Sequence, residues 1–305
     1  MPTNIWEDLK LRYHQGNAVI KLIMVNVAVH ISMLLVSVVC FLVVGSDTDF
    51  WYFLSEWFYF PSELRKIPLR FWTVFSYMFL HANFFHILMN MLVLYWFGQK
   101  LNDLLPQHKI LPIYLCGGLV GALFFAVGFN IFPAFSSAQG NLVGASASVM
   151  AIVLATATLN PKGTIHLFLL GAIELQYIAL VWVIYNLVVI PGGNPGGALA
   201  HLGGAFMGWF FIRQLRKGKD YSKPINKVLA KFSRRKTAVR TSVPKRSKQK
   251  QSQGLFRPKM RVYKGAAKTD FYGNEYGRSF MQKYKEMSKE ECLNSILAKI
   301  KRSGY

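Results

Sequence analysis

Six apolar runs, each close to the length that crosses a bilayer, fill most of the first 215 residues and constrain the fold more than any other feature. A helix spanning the hydrocarbon core takes ~20 consecutive apolar residues. Runs of about that size occur at roughly 17–44, 72–97, 110–132, 143–159, 165–190 and 198–215. Hydrocarbon offers no partner to free backbone N–H and C=O groups, so runs like these are satisfied as helices. The expectation is an all-α, polytopic membrane protein, a bundle of six transmembrane helices. Composition agrees, since 52% of the chain is hydrophobic and only 16% is charged. That balance excludes an ordinary soluble enzyme.

The net charge of +22 suggests nucleic acid until its distribution is considered. Residues 1–210 carry 9 Lys and Arg against 8 Asp and Glu, whereas residues 211–305 carry 27 against 6. An almost neutral body is followed by a basic tail. The expected organisation is a polar segment at 1–16, a membrane domain at 17–215, a flexible basic tail at 216–287 and a short amphipathic helix at 288–305. The tail lacks the aromatic platforms of nucleic-acid binders, so no nucleic acid is expected. Anionic lipid headgroups are the expected partner, each basic residue near them contributing ~1 kcal/mol. In the last segment Ser288 opens a capping box, and Leu293, Ile296, Leu297 and Ile300 follow at helical spacing.

Lys and Arg in the short flanks orient the spans. Lys10, Arg12 and Lys21 flank the first, Lys100 and Lys109 lie between the second and third, and Lys162 lies between the fourth and fifth. Segments 133–142 and 191–197 contain no positive charge. Both termini are therefore expected on the cytoplasmic side of the membrane. Segment 45–71, with its aromatic run "FWYFLSEWFYF", forms an outer connection at headgroup level. The polar first sixteen residues speak against a cleavable signal peptide. Cys40, Cys116 and Cys292 fit neither a metal site nor a disulfide framework.

Polar side chains inside the runs are costly and mark function by default. His86 and Asn90 share one face of the second span. Ser146 opens the fourth, and His201 lies near the start of the sixth. With the inferred orientation all four reach a similar depth near the outer face, which suits a reaction site better than a path through the membrane. A serine becomes a nucleophile when a base takes its proton, and His201 can be that base. Asn90, His86 and the backbone N–H groups at the start of the fourth span can face an oxyanion. Gly144 allows the tight entry into that span, and Gly204-x-x-x-Gly208 allows close helix approach. Small residues such as Ala145, Ala147 and Ser148 would serve simple packing equally well. Ser148, about 200° around the helix from Ser146, suits packing. His81 lies towards the outer surface and is not assigned to catalysis. Glu174 beside Gln176 is the handle for a transporter, but no partner at its depth is evident.

Gly144-Ala145-Ser146, the spacing of His81, His86 and Asn90, and "AHLGGA" at 200–205 together resemble the rhomboid family of intramembrane serine proteases. The resemblance covers about residues 15–215. The likeness is to the six-span bacterial type, and it implies a bacterial inner membrane, a Ser146–His201 dyad, oxyanion stabilisation by His86 and Asn90, transmembrane proteins as substrates, and neither cofactor nor metal. The sequence departs from the family at Ala147, where a glycine is common, at Met150, where many members have tyrosine, and at Thr73, where arginine often follows Trp72. A non-cleaving protein that binds membrane clients is the alternative these departures leave open.

Overall fold

A computed structural model describes residues 4, 13, 15–135, 138–167 and 171–238. The chain forms helices α1 (Ala18–Val44), α2 (Thr48–Phe58), α3 (Lys66–Leu69), α4 (Thr73–Ser76), α5 (Phe84–Leu104) and α6 (Ile110–Ile131). After these come α7 (Ser146–Leu159), α8 (Leu175–Val188), α9 (Pro195–Arg216) and α10 (Ser222–Ala238). Two antiparallel ladders complete the described chain: β1 (Phe60–Pro61) with β2 (Asn141–Leu142), and β3 (Thr164–Leu167) with β4 (Gly171–Glu174). The fold is a helical membrane bundle, in agreement with the class read from the sequence.

The runs are not six uniform spans. Helix α1 is long and apolar enough to cross a bilayer, and so is α6 with the turn before it, residues 107–131. The stretch 73–79 and α5 qualify as a third span only when taken together across an 89° bend. Helices α7 and α8 are apolar but 14 residues long each, a rise of about 21 Å against a core of ~30 Å. The run at 165–190 is the clearest departure, because its first half is the β3–β4 hairpin and its helix starts only at Leu175. Hydropathy alone does not separate a buried strand from a helix. Here Gly171, at φ +72°, takes a left-handed conformation that interrupts a helix. The run at 72–97 bends because Asn83 starts a new helix, its side chain accepting from the His86 N–H at 2.9 Å.

Helices α6, α7 and α9 meet along a seam of small residues. A Cβ on Gly204 would stand 2.0 Å from the Ala147 carbonyl oxygen, and one on Gly208 would stand 2.1 Å from that of Ala151. From the α6 side, Gly117 meets Ala151, and Gly121 meets Ala147 and the carbonyl of Ala200. In lipid, close packing of this kind replaces the hydrophobic effect as the main attraction between helices. Helix α1 stands on the other side, its Val19 against Gly98 of α5, while Leu42 and Val43 near its end are exposed.

The connection at 45–71 is tied by its aromatic and charged residues. Trp72 stacks on Trp57 with ring centroids 6.4 Å apart and donates its indole N–H to the Trp57 carbonyl at 2.7 Å. Arg70 lies 4.8 Å over the Trp57 ring and pairs with Glu56 at 2.6 Å. That hydrogen bond from Arg70 holds the Glu56 carboxyl below the usual carboxylate range. Thr73 is buried, and its hydroxyl donates to the Arg70 carbonyl at 2.7 Å. The arginine of this loop therefore precedes Trp72 by two residues instead of following it.

Part of the expected flexible tail is ordered. Asp220 accepts from the Ser222 N–H and hydroxyl at 3.0 and 2.6 Å, starting α10, and pairs with Lys109 at 2.5 Å. Charge composition missed this helix because its anchor is a cation 111 positions away. Residues 239–305, including the terminal helix expected at 288–305, lie outside the described residues. Burial opposes the charged form of Asp220, but the bonds from Lys109 and Ser222 prevail and hold its carboxyl down at about 2, against an ordinary 3.8. A lowered carboxyl stabilises the fold above its unfolded value, and that contribution disappears as pH falls from 3.8 through about 2. Melting curves in detergent over this window should show the loss in the wild type and a flatter dependence in Asp220→Asn.

Candidate active site

Three helix starts converge on one cavity. Helix α5 begins at Phe84 under the Asn83 cap, so His86 and Asn90 lie in its first two turns. Helix α9 begins at Pro195 under the Asn194 cap, whose side chain accepts from the Gly197 N–H at 2.9 Å, and His201 follows within two turns. Helix α7 begins at Ser146 itself. Ser146, His201, His86 and Asn90 line a common cavity of about 370 Å³, with Met150, Val149, Trp182 and Asn194 also in its wall. Ser146, His201 and His86 are half-buried and Asn90 is buried.

The entry into α7 is held from several directions. The β1–β2 ladder joins the 45–71 connection to Leu142, just before the turn. The Gly144 N–H donates to the Tyr77 carbonyl at 2.9 Å, and the Tyr77 hydroxyl donates to the Gly118 carbonyl at 2.6 Å. Gly144 itself has φ +124°, a conformation side-chain-bearing residues rarely adopt. A Cβ there would lie 2.7 Å from His86 Cε1 and Nε2 and 3.6 Å from Ser146 Oγ. Gly144→Ala is expected to cost about 1–3 kcal/mol in backbone strain and to displace the His86 ring. Thermal unfolding in detergent, with cleavage assayed in parallel, checks both effects.

Polar contacts define what each side chain can offer. Asn90 Nδ2 donates to the His86 carbonyl at 2.8 Å, which leaves its second N–H. The N–H groups of the first turn of α7 have no carbonyl within the helix to bond. His201 Nδ1 meets Asn186 Oδ1 of α8 at 2.7 Å, and Asn186 is almost completely buried. The sequence reading missed Asn186, although an amide in the apolar run 165–190 was the available signal. Ser148 is fully buried, with its hydroxyl towards Gly118 of α6 and away from the cavity. His81 is fully buried, edge-on to His86 and His30 with centroids 5.2 and 6.2 Å away. Glu174 ends β4, accepts from the Gln176 side chain at 2.6 Å and does not line the cavity. Among the described residues no group of His, Cys, Asp and Glu is arranged to hold a metal ion.

Residues 68–217 match the model of the Rhomboid domain. Over 161 residues the chain is 29% identical to RHOMBOID-like protein 12, mitochondrial, of Arabidopsis thaliana, covering 49% of this chain and 48% of that protein. It is 29% identical over 157 residues to Presenilin-associated rhomboid-like protein A, mitochondrial, of Danio rerio, covering 50% and 38%. The human Presenilin-associated rhomboid-like protein, mitochondrial, is 26% identical over 137 residues, covering 44% and 35%. The chain spans about half the length, or less, of these curated relatives. Their names overturn the expectation of a bacterial inner membrane, since all three are mitochondrial proteins. The bias of Lys and Arg reports the sidedness of spans but does not identify the membrane.

Proposed function

Because this chain belongs to the rhomboid family, we propose that it is an intramembrane serine endopeptidase using Ser146 and His201 as its catalytic pair. The observation that carries this reading is the single cavity lined by Ser146, His201, His86 and Asn90, contributed by three separate helix starts. Met89, Val93 and Trp182 line this cavity and also an adjoining apolar cavity of about 450 Å³ between α5 and α8, a route by which a substrate helix could enter from lipid.

In the proposed reaction Ser146 Oγ attacks the scissile carbonyl carbon while His201 Nε2 takes the serine proton. The oxyanion is met by a side-chain N–H of Asn90, the His86 ring and the backbone N–H groups opening α7. Collapse expels the amine, which receives the proton from His201. Water then attacks the acyl-enzyme by the same route and releases the acid. A transmembrane substrate has to unwind locally to present a carbonyl, so Gly or Pro near one end of its span lowers the barrier. No cofactor or metal takes part.

The relatives' names support a mitochondrial membrane as the location. Exposed Lys223, Lys227 and Lys231 recur every four residues along α10, which supports contact with anionic headgroups at ~1 kcal/mol per residue.

The test is a panel of single-span substrates with Gly or Pro near one end of the span, reconstituted with the folded protein in lipid vesicles. Product masses placing the cut within or beside the span support the reading. Substrate binding without any cleavage across the panel would instead favour a client-binding protein.

A further inference from the structure

We infer that Asn186 is a positioning residue that fixes which nitrogen of His201 carries the proton, a role that rests on the catalytic pair proposed above. To act as a base towards Ser146, the imidazole needs a free lone pair on Nε2, so the neutral ring must carry its proton on Nδ1. A neutral imidazole left to itself can take either form, and the bond made at one nitrogen decides the state of the other.

Asn186 supplies that bond, and its own orientation is fixed. Its Nδ2 donates to the Trp182 carbonyl at 2.8 Å, one turn earlier in α8. A carbonyl oxygen can only accept, so turning the amide over would set two acceptors against each other. The oxygen is thereby left to face His201 Nδ1 at 2.7 Å. An oxygen can only accept there too, which makes Nδ1 the donor and frees Nε2. The chain of constraint runs from a helix carbonyl through one buried amide to the protonation state of the base. Trp182 also lines the cavity, so the segment that sets the tautomer forms part of the cavity wall. Asn186 touches neither Ser146 nor, in this account, the substrate, which is why its effect passes through His201.

The test uses Asn186→Leu and Asn186→Asp beside wild type and Ser146→Ala, in the vesicle assay. Asn186→Leu keeps the size but loses the acceptor. Its kcat should fall about 10- to 100-fold, by analogy with other residues that orient a functional imidazole, with KM changed less than about twofold. Asn186→Asp keeps the acceptor and adds a charge that favours the imidazolium. It should retain most of kcat at high pH, with the acid limb of its pH profile moved up by about one unit. A merely structural role would not move that limb. Nitrogen-15 NMR of histidine-labelled wild type in micelles, with the His201 signal assigned by its loss in His201→Gln, should show protonation at Nδ1. This decides the matter even if the leucine variant fails to fold. The inference is overturned if His201 is protonated at Nε2, or if Asn186→Leu cleaves at the wild-type rate while Ser146→Ala is inactive. Cleavage by Ser146→Ala would refute the proposed function itself.

Discussion

Ser146→Ala is expected to abolish cleavage of a single-span substrate in vesicles, with a loss of at least about 10³-fold, and His201→Ala to lose a comparable amount. Removing either member of a unit that acts together costs nearly the whole of its contribution. No neighbouring hydroxyl can stand in for the missing one. Ser148 is two residues along the same helix, fully buried, and directed at Gly118 of α6. Alanine at 146 fills a half-buried position at the first residue of α7, so the fold should survive and substrate should still bind. An unchanged melting temperature with lost turnover is the expected pair of results. Cleavage that persists in Ser146→Ala, at the same peptide bond, would assign the reaction elsewhere.

The second large effect concerns the framework that brings His201 to Ser146. Gly204→Val should prevent α9 from docking on α7 and leave little folded protein in detergent. A Cβ at 204 would stand 2.0 Å from the Ala147 carbonyl oxygen, whereas ordinary contact starts near 3.4 Å. The neighbour is backbone, not the end of a flexible side chain, so relief requires the helices to part by more than an ångström. Overpacking a tight core costs about 1–3 kcal/mol, and more where nothing can move. Gly204→Ala should give a smaller loss in the same direction. Gly193→Ala is the control, because nothing lies within 4 Å of a Cβ there. Folded yield after solubilisation and thermal midpoint read the series. A wild-type midpoint for Gly204→Val would mean that α7 and α9 are not in this contact.

Why some of this molecule was readable from sequence and some was not follows from what each signal reports. A serine, two histidines and an asparagine in otherwise apolar runs are costly wherever the fold puts them, so Ser146, His201, His86 and Asn90 could be picked out one by one. Asn186 carried the same signal, but without the fold nothing connected it to His201, fifteen positions away. Hydropathy averages over a window and does not register a turn. It therefore merged the β3–β4 hairpin with α8, and merged the 73–79 stretch with α5 across their bend. Helix α10 was hidden because its basic composition resembles a disordered chain, while its anchor, Asp220 on Lys109, is a tertiary contact. The membrane's identity was never in the residues that face it.

In the proposed mechanism His201 makes Ser146 a nucleophile, and covalent labelling measures that without any assumption about substrate. Folded wild-type protein in micelles would be treated with a fluorophosphonate, which phosphonylates an activated serine, and then analysed by intact mass and peptide mapping. One adduct is expected, on Ser146, with labelling at least about tenfold slower in His201→Ala. An unlabelled Ser146, or a rate that does not depend on His201, would rule out this activation.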